Sequence, residues 1–175
     1  MKNLLPPLTL VLGGASSGKS AWAEARVSSA GLNRHYIATA EAHDAEMTAK
    51  IAAHRAARGT AWDTHDAPHD LGVLATVPEG HCALLDCATM WLSNQLLAER
   101  DMDAAVTAFT AAVAGCPAPL VVVSNEVGHG IVPAYALGRR FRDAQGQLNQ
   151  RLAAQADEVV FVTAGLPQVL KAATP

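Results

Sequence analysis

Short apolar runs alternate with longer stretches of helix-forming residues along most of the chain. The run Leu8–Leu12 (LTLVL) is apolar, β-prone and ends in glycines, which predicts a strand; helical composition follows over Lys19–Ser29. His35–Ala38 predicts a second strand. From Asp44 to Arg58 the stretch DAEMTAKIAAHRAAR is rich in alanine and holds neither Gly nor Pro. It predicts a helix with Asp44 as N-cap and Gly59 as its stop. Ala83–Cys87 predicts a buried strand that carries an acid near its end, followed by helices over 88–99 and 103–115. Leu120–Ser124 (LVVVS) is the clearest strand, and Glu158–Thr163 (EVVFVT) is read as the last. Continuous apolar strands separated by helices belong to a mostly parallel sheet covered on both faces, so the class is α/β. No repeat, low-complexity tract or linker interrupts the pattern, and 175 residues suffice for one sizeable core. A single domain over residues 1–175 is expected.

Composition narrows the partners. Half the residues are apolar, 17% are charged, and the formal net charge is -3. A chain of that balance folds, and it has no basic footprint of the kind duplex-binding domains present, so no nucleic acid is expected. Cys82, Cys87 and Cys116 are odd in number and lack metal-ligand spacing; Cys82 and Cys87, around an apolar strand-like run, are expected to be buried thiols, and neither a disulfide nor a zinc centre is expected. Met1 to Pro7 has one lysine and an apolar patch broken by Pro6-Pro7, without signal-peptide layout. No apolar run reaches membrane-spanning length, and the expected location is the cytoplasm.

The chemistry starts at Gly13-Gly14-Ala15-Ser16-Ser17-Gly18-Lys19-Ser20, a full match to G-x-x-x-x-G-K-[ST] between a strand and a helix. Glycines let the backbone fold around phosphate oxygens with its N–H groups pointing inward. The helix that begins there adds its positive end. Lys19 is assigned to the β- and γ-phosphates of ATP or GTP and Ser20 to Mg²⁺. Asp86, at the end of a buried strand, is the expected second metal group, although an aspartate there can also cap the next helix.

Other blocks are more specific than the phosphate loop. They are Tyr36-Ile37-Ala38-Thr39-Ala40; Ile51 with His54-Arg55 before Trp62; Leu85 through Asn94; and Ser124-Asn125-Glu126-Val127-Gly128-His129-Gly130-Ile131-Val132-Pro133, continuing through Gly138–Asp143 to Leu148-Asn149-Gln150. With Ala156–Val159 and Ala164–Pro167, they closely resemble the bifunctional adenosylcobinamide kinase/adenosylcobinamide-phosphate guanylyltransferase family of cobalamin biosynthesis, from about Leu8 to Lys171. The resemblance implies a P-loop NTPase-type, RecA-like fold and two reactions. One is NTP-dependent phosphorylation of adenosylcobinamide. The other is GMP transfer from GTP to the product through a guanylylated histidine, matched here by His54. It further implies nucleotide contacts from Ala38, Thr39, Ala40, Arg55, Arg58 and Asp66, and a homotrimer.

The residues make this chemistry reasonable. Lys50, His54 and Arg58 fall at i, i+4 and i+8, with Arg55 beside them, a basic stripe able to meet phosphate. Read alone, that stripe is also compatible with a solvated helix face. The chain departs from the family pattern at Ser16, where arginine is usual; at Asp66, one methylene shorter than the usual acid; and at Gly59, where proline is usual. His35, His43, His65, His69, His81 and His129 are expected on surfaces or loops. Asn125 and Glu126 are expected to contact corrinoid or metal, or to brace their loop; Arg139, Arg140 and Arg142 to meet substrate phosphate or pair at the surface. Apart from the resemblance, a P-loop kinase with another acceptor and a nucleotide-dependent regulatory module both remain open.

Overall fold

The phosphate loop sits at the carboxyl end of a central strand, between two layers of helix. The structure, a computed structural model, describes residues 5–42 and 44–173; Met1–Leu4 and His43 therefore lie outside it. The elements are β1 (Leu8–Gly13), α1 (Lys19–Ser28), β2 (Asn33–Ala38), α2 (Ala45–Arg58), β3 (Asp63–Asp66), β4 (His81–Asp86), α3 (Ala88–Leu97), α4 (Met102–Ala114), β5 (Leu120–Asn125), α5 (Ala136–Gln155), β6 (Glu158–Thr163) and β7 (Leu166–Lys171). They form one sheet in the order β3-β2-β4-β5-β1-β6-β7. Every pairing is parallel except β6 with β7.

Alternation along each strand divides the core in two. Leu10, Ile37, Leu85 and Val122 pack on one face beneath α3, α4 and α5, with Trp91, Phe109 and Leu148 supplied by the helices. Val11, Tyr36, Leu84 and Val123 pack on the other, against Ala23 and Val27 of α1. Helix α2 buries no residue at all. Its ends follow local rules: the Asp44 carboxylate accepts from Met47 N, and Gly59 ends the helix at φ 59°.

Three expectations need correction. Glu158–Thr163 is not the last strand, because β7 returns antiparallel through the two residues Ala164 and Gly165, both at positive φ. The edge strand β3 and the 20-residue α5 are also present where the hydrophobic pattern singles out no element. Among the described histidines expected on surfaces or loops, His35 is buried in β2, while His65 and His81 are half-buried in β3 and β4; His69 and His129 are exposed in loops. Cys82 and Cys87 are buried, as expected, and burial pushes both thiols up to about 11; Cys116 is half-buried. Among the described residues no helix is long and apolar enough to cross a membrane.

Candidate active site

The strand order sets the site. β1 lies between β5 and β6, and β5 separates it from β4, so the loop after β1 faces the acid at the end of β4 across one strand. Crevices of this kind, at the carboxyl ends of parallel strands, are where open α/β sheets hold ligands. The loop needs glycine at two points. A Cβ on Gly13 would come within 2.6 Å of the Val162 carbonyl oxygen, and Gly18 sits at φ 92° immediately before α1. The turn between β6 and β7 pins the loop from outside, since Gly165 N donates to Ser17 O at 2.8 Å. Lys19 is 8% exposed, and its Nζ donates to Gly14 O at 3.0 Å. The ammonium is thus folded back over the loop whose N–H groups would hold phosphate.

Beside the loop is a cavity of about 330 Å³. Ser20 and Glu24, one helical turn apart on α1, reach it from one side. Asp86 reaches it from β4, Tyr36 from β2, and His54 and Arg58 from α2. Ala38 and Ala40 also line it, leaving room with their small side chains. Tyr36 donates to Asp86 Oδ2 at 2.9 Å. Burial, and then the adjacent carboxylate, hold the Tyr36 hydroxyl far above its ordinary range, so it is a fixed donor. The Arg58 guanidinium lies over the Tyr36 ring, 3.6 Å from its centroid, and its Nε is buried without a hydrogen-bond partner. Ser17 Oγ is in the same condition. An unsatisfied guanidinium nitrogen facing the cavity fits an oxygen-rich ligand there.

Other predicted residues take different places. Thr39 is fully buried behind the cavity, where its hydroxyl donates to Cys87 O at 2.7 Å and accepts from Cys87 N at 2.8 Å. It holds the chain next to Asp86 in position. Cys87, not Asp86, caps α3 by accepting from Met90 N, which leaves the Asp86 carboxylate to the cavity. Arg55 and Asp66 are exposed and paired at 3.2 Å, joining α2 to the end of β3. Lys50 is engaged by Glu46. Gly14, Ala15, Ser16 and Ser17 line a second cavity, of about 490 Å³, on the outer side of the loop with Glu126 and Phe161. The loop after β5 is braced from within: Glu126 Oε1 accepts from Gly128 N at 2.6 Å, Arg142 donates to Gly128 O at 2.7 Å, and Arg139 donates to Pro133 O at 2.9 Å. Those two arginines hold backbone carbonyls.

Glu24 and Tyr36 are cavity residues that reasoning from the sequence did not single out as site groups. The signal for Glu24 was its i+4 spacing from Ser20; Tyr36 had none, because only the register of β2 with β4 brings it to Asp86. Glu24 has a raised pKa, first through burial and then through Asp86. Between its ordinary value of 4.5 and the raised one, the unfolded chain ionises before the folded one does. Stability from this group is therefore present below 4.5 and lost as pH rises through the folded pKa. Glu24→Gln removes the loss, so the variant should melt above the wild type at neutral pH without nucleotide. The difference should close at pH 4, as thermal melts at the two pH values would show.

The family model described as cobinamide kinase / cobinamide phosphate guanyltransferase matches residues 9–170. The chain belongs to this family. It is 43% identical over 168 residues to the bifunctional adenosylcobalamin biosynthesis protein CobP of Pseudomonas aeruginosa, a match covering 93% of this chain and 96% of the relative. It is 40% identical over 181 residues to the bifunctional adenosylcobalamin biosynthesis protein CobU of Salmonella typhimurium, with 94% and 99% covered. Among solved structures, flagellar accessory protein FlaH from Methanocaldococcus jannaschii matches with a TM-score of 0.53 at 12% identity, over 97% of this chain and 80% of the other. That likeness is one of fold alone. It agrees with a P-loop NTPase-type α/β architecture for this member of the family.

Proposed function

We infer that this chain, as one domain over residues 1–175, phosphorylates adenosylcobinamide with ATP or GTP and then transfers GMP from GTP to the product. The observation that carries the reading is one cavity faced by Ser20 of the phosphate loop, Asp86 of β4 and His54 of α2. Groups suited to phosphate chemistry and an imidazole suited to act as nucleophile face the same space.

In the first step the acceptor hydroxyl oxygen attacks the γ-phosphorus, the bond to the β-phosphate bridging oxygen breaks, and the nucleoside diphosphate leaves. Lys19 and the loop N–H groups hold the charge that develops on the phosphate oxygens. Glu24, with its raised pKa, is placed to take the hydroxyl proton. In the second step a His54 ring nitrogen bonds to the α-phosphorus of GTP, and pyrophosphate leaves. A phosphate oxygen of adenosylcobinamide phosphate then attacks that phosphorus, releasing His54 and forming adenosylcobinamide-GDP. Arg58, whose Nε has no protein partner, is assigned to the transferred phosphate. Ala38, Thr39, Ala40, Arg55 and Asp66 are assigned to nucleotide binding, Thr39 through the backbone it braces.

The donors at Ser20 and Asp86 are all oxygen, the set that suits Mg²⁺. Bound there, Mg²⁺ neutralises charge on the phosphates of the nucleotide. Both reactions should stop with EDTA, and Asp86→Asn should raise the Mg²⁺ concentration needed for half-maximal rate at least several-fold while the melting temperature changes little. Full activity in metal-free buffer would remove Ser20 and Asp86 from this role.

The reading extends to a homotrimer in the cytoplasm. Its support is the family resemblance, together with apolar groups left in solvent on the loop before α5, where Ile131 is 96% and Tyr135 83% exposed. Incubation with adenosylcobinamide and GTP tests the whole proposal. Formation of both adenosylcobinamide phosphate and adenosylcobinamide-GDP supports it. GTP hydrolysis alone would point to a regulatory module, and a phosphorylated product from another acceptor only would point to a different kinase.

A further inference from the structure

On the sheet face opposite Tyr36, three strands bring together a group of side chains with no part in nucleotide chemistry. His35 on β2 lies directly opposite Asp63 on β3, and His65, two residues further along β3, projects from the same face. His81, at the start of β4, stacks on the other side of His35, with ring centroids 5.1 Å apart.

We propose that His35, Asp63 and His65 form a Zn²⁺ site that staples the edge strand β3 to β2, with His81 as its positioning residue. Three distances carry this. His35 Nδ1 is 3.1 Å from His65 Nε2 and 3.5 Å from Asp63 Oδ2, and His65 Nε2 is 3.4 Å from Asp63 Oδ2. Zn²⁺ with nitrogen and oxygen ligands at about 2.0–2.1 Å in a tetrahedron separates its ligand atoms by about 3.3–3.4 Å. An octahedral ion at similar bond lengths would draw them to about 3.0 Å. The triangle therefore has the size of one face of a zinc tetrahedron, and the fourth position is left to solvent.

Hydrogen bonding alone accounts poorly for the same triangle. One proton can join the two imidazoles at 3.1 Å, yet the carboxylate stands near both rings at distances too long for a good bond to either. The carboxylate oxygen converges on the ring pair without a good hydrogen bond of its own to either.

The outer shell supports the arrangement. His35 Nε2 lies 2.9 Å from His81 Nδ1, and in the tautomer that donates its N–H there His35 keeps Nδ1 free as a ligand. Asp63 is 65% exposed in its side chain and His65 30%, which gives an ion a path in from solvent. The donor set of two imidazoles and one carboxylate suits Zn²⁺, whereas the oxygen set at Ser20 and Asp86 suits Mg²⁺. The two sites lie on opposite faces of the sheet and select different ions by chemistry.

Calorimetric titration of chelator-treated full-length protein with ZnCl₂, in the presence of saturating Mg²⁺, tests the proposal. The expected result is one Zn²⁺ per chain and a rise in melting temperature. Co²⁺ in its place should give the intense visible absorption of a tetrahedral complex. His65→Ala and the isosteric Asp63→Asn, both at half-buried or exposed positions, should fold, weaken Zn²⁺ at least 100-fold and lose the thermal shift. His81→Ala should weaken it by about 10–100-fold through the lost second N–H partner. His69→Ala, outside the cluster, should bind as the wild type does. Absence of stoichiometric binding, equal affinity in His65→Ala, or a purely octahedral Co²⁺ spectrum would overturn the site. None of these readouts depends on the kinase or guanylyltransferase reading.

Discussion

Lys19→Ala should lose kinase turnover by at least about 10²–10³-fold while its fold stays intact. Removing one preorganised group that meets transition-state charge costs about 3–4 kcal/mol in a water-poor site, and a full ammonium is no weaker than a neutral donor. Here that ammonium is 8% exposed and tied to Gly14 O, so it is held over the loop before nucleotide arrives. Alanine is a good helix former at the first position of α1, and the core residues of that helix, Ala23 and Val27, are untouched. The variant should therefore melt close to the wild type. Steady-state kinase assays beside thermal melts check both halves of the statement. Wild-type turnover would mean that the loop does not hold the reacting phosphates.

His54→Ala should separate the two reactions. With GTP labelled in the α-phosphate, the wild-type protein should carry label that acid removes and base does not, the behaviour of a phosphoramidate. Label in the γ-phosphate should not be retained. The variant should lose the protein label and GMP transfer altogether, because no other histidine lines this cavity among the described residues. It should keep much of its kinase rate, since phosphoryl transfer to a hydroxyl needs positioning and charge and no protein nucleophile. His54 is exposed on a helix that buries nothing, so its removal leaves no hole in the core. Loss of both activities together would assign His54 to the shared nucleotide site. Persisting label would place the nucleophile elsewhere, and mass spectrometry of the labelled peptide would locate it.

The parts of this molecule legible in the sequence are those whose physics is local. β1, β4 and β5 are apolar runs buried on both faces, and such runs stand out in a parallel sheet. The glycines, Lys19 and Ser20 are fixed by the geometry of phosphate binding. Asp44 and Gly59 are fixed by the ends of α2. β3 was hidden because it is four residues, DTHD, on an edge, with exposed or half-buried positions and no apolar group. β7 contains Pro167 and is exposed throughout, so it carries neither alternation nor an apolar run; its one signal is the Ala164-Gly165 turn. In α5 the buried face mixes Leu148 and Leu152 with Gln145 and Asn149, which serve Ser124 and the Asn125 carbonyl in a polar network. A hydrophobic period cannot report a helix buried by its amides. In the site, Tyr36 became visible only when strand register brought it to Asp86.

Helix α2 carries the residue assigned to covalent chemistry, yet contributes nothing to the core. The free energy that holds the sheet together and the free energy that holds His54 in place are thus nearly separate quantities. A substitution at Leu84 or Val122 alters how much folded protein a cell keeps, and leaves the imidazole's surroundings alone. A substitution at Ile51 alters the imidazole's surroundings, and leaves abundance nearly alone. Variation can therefore explore the transfer step along α2 without drawing on the narrow margin by which the domain stays folded.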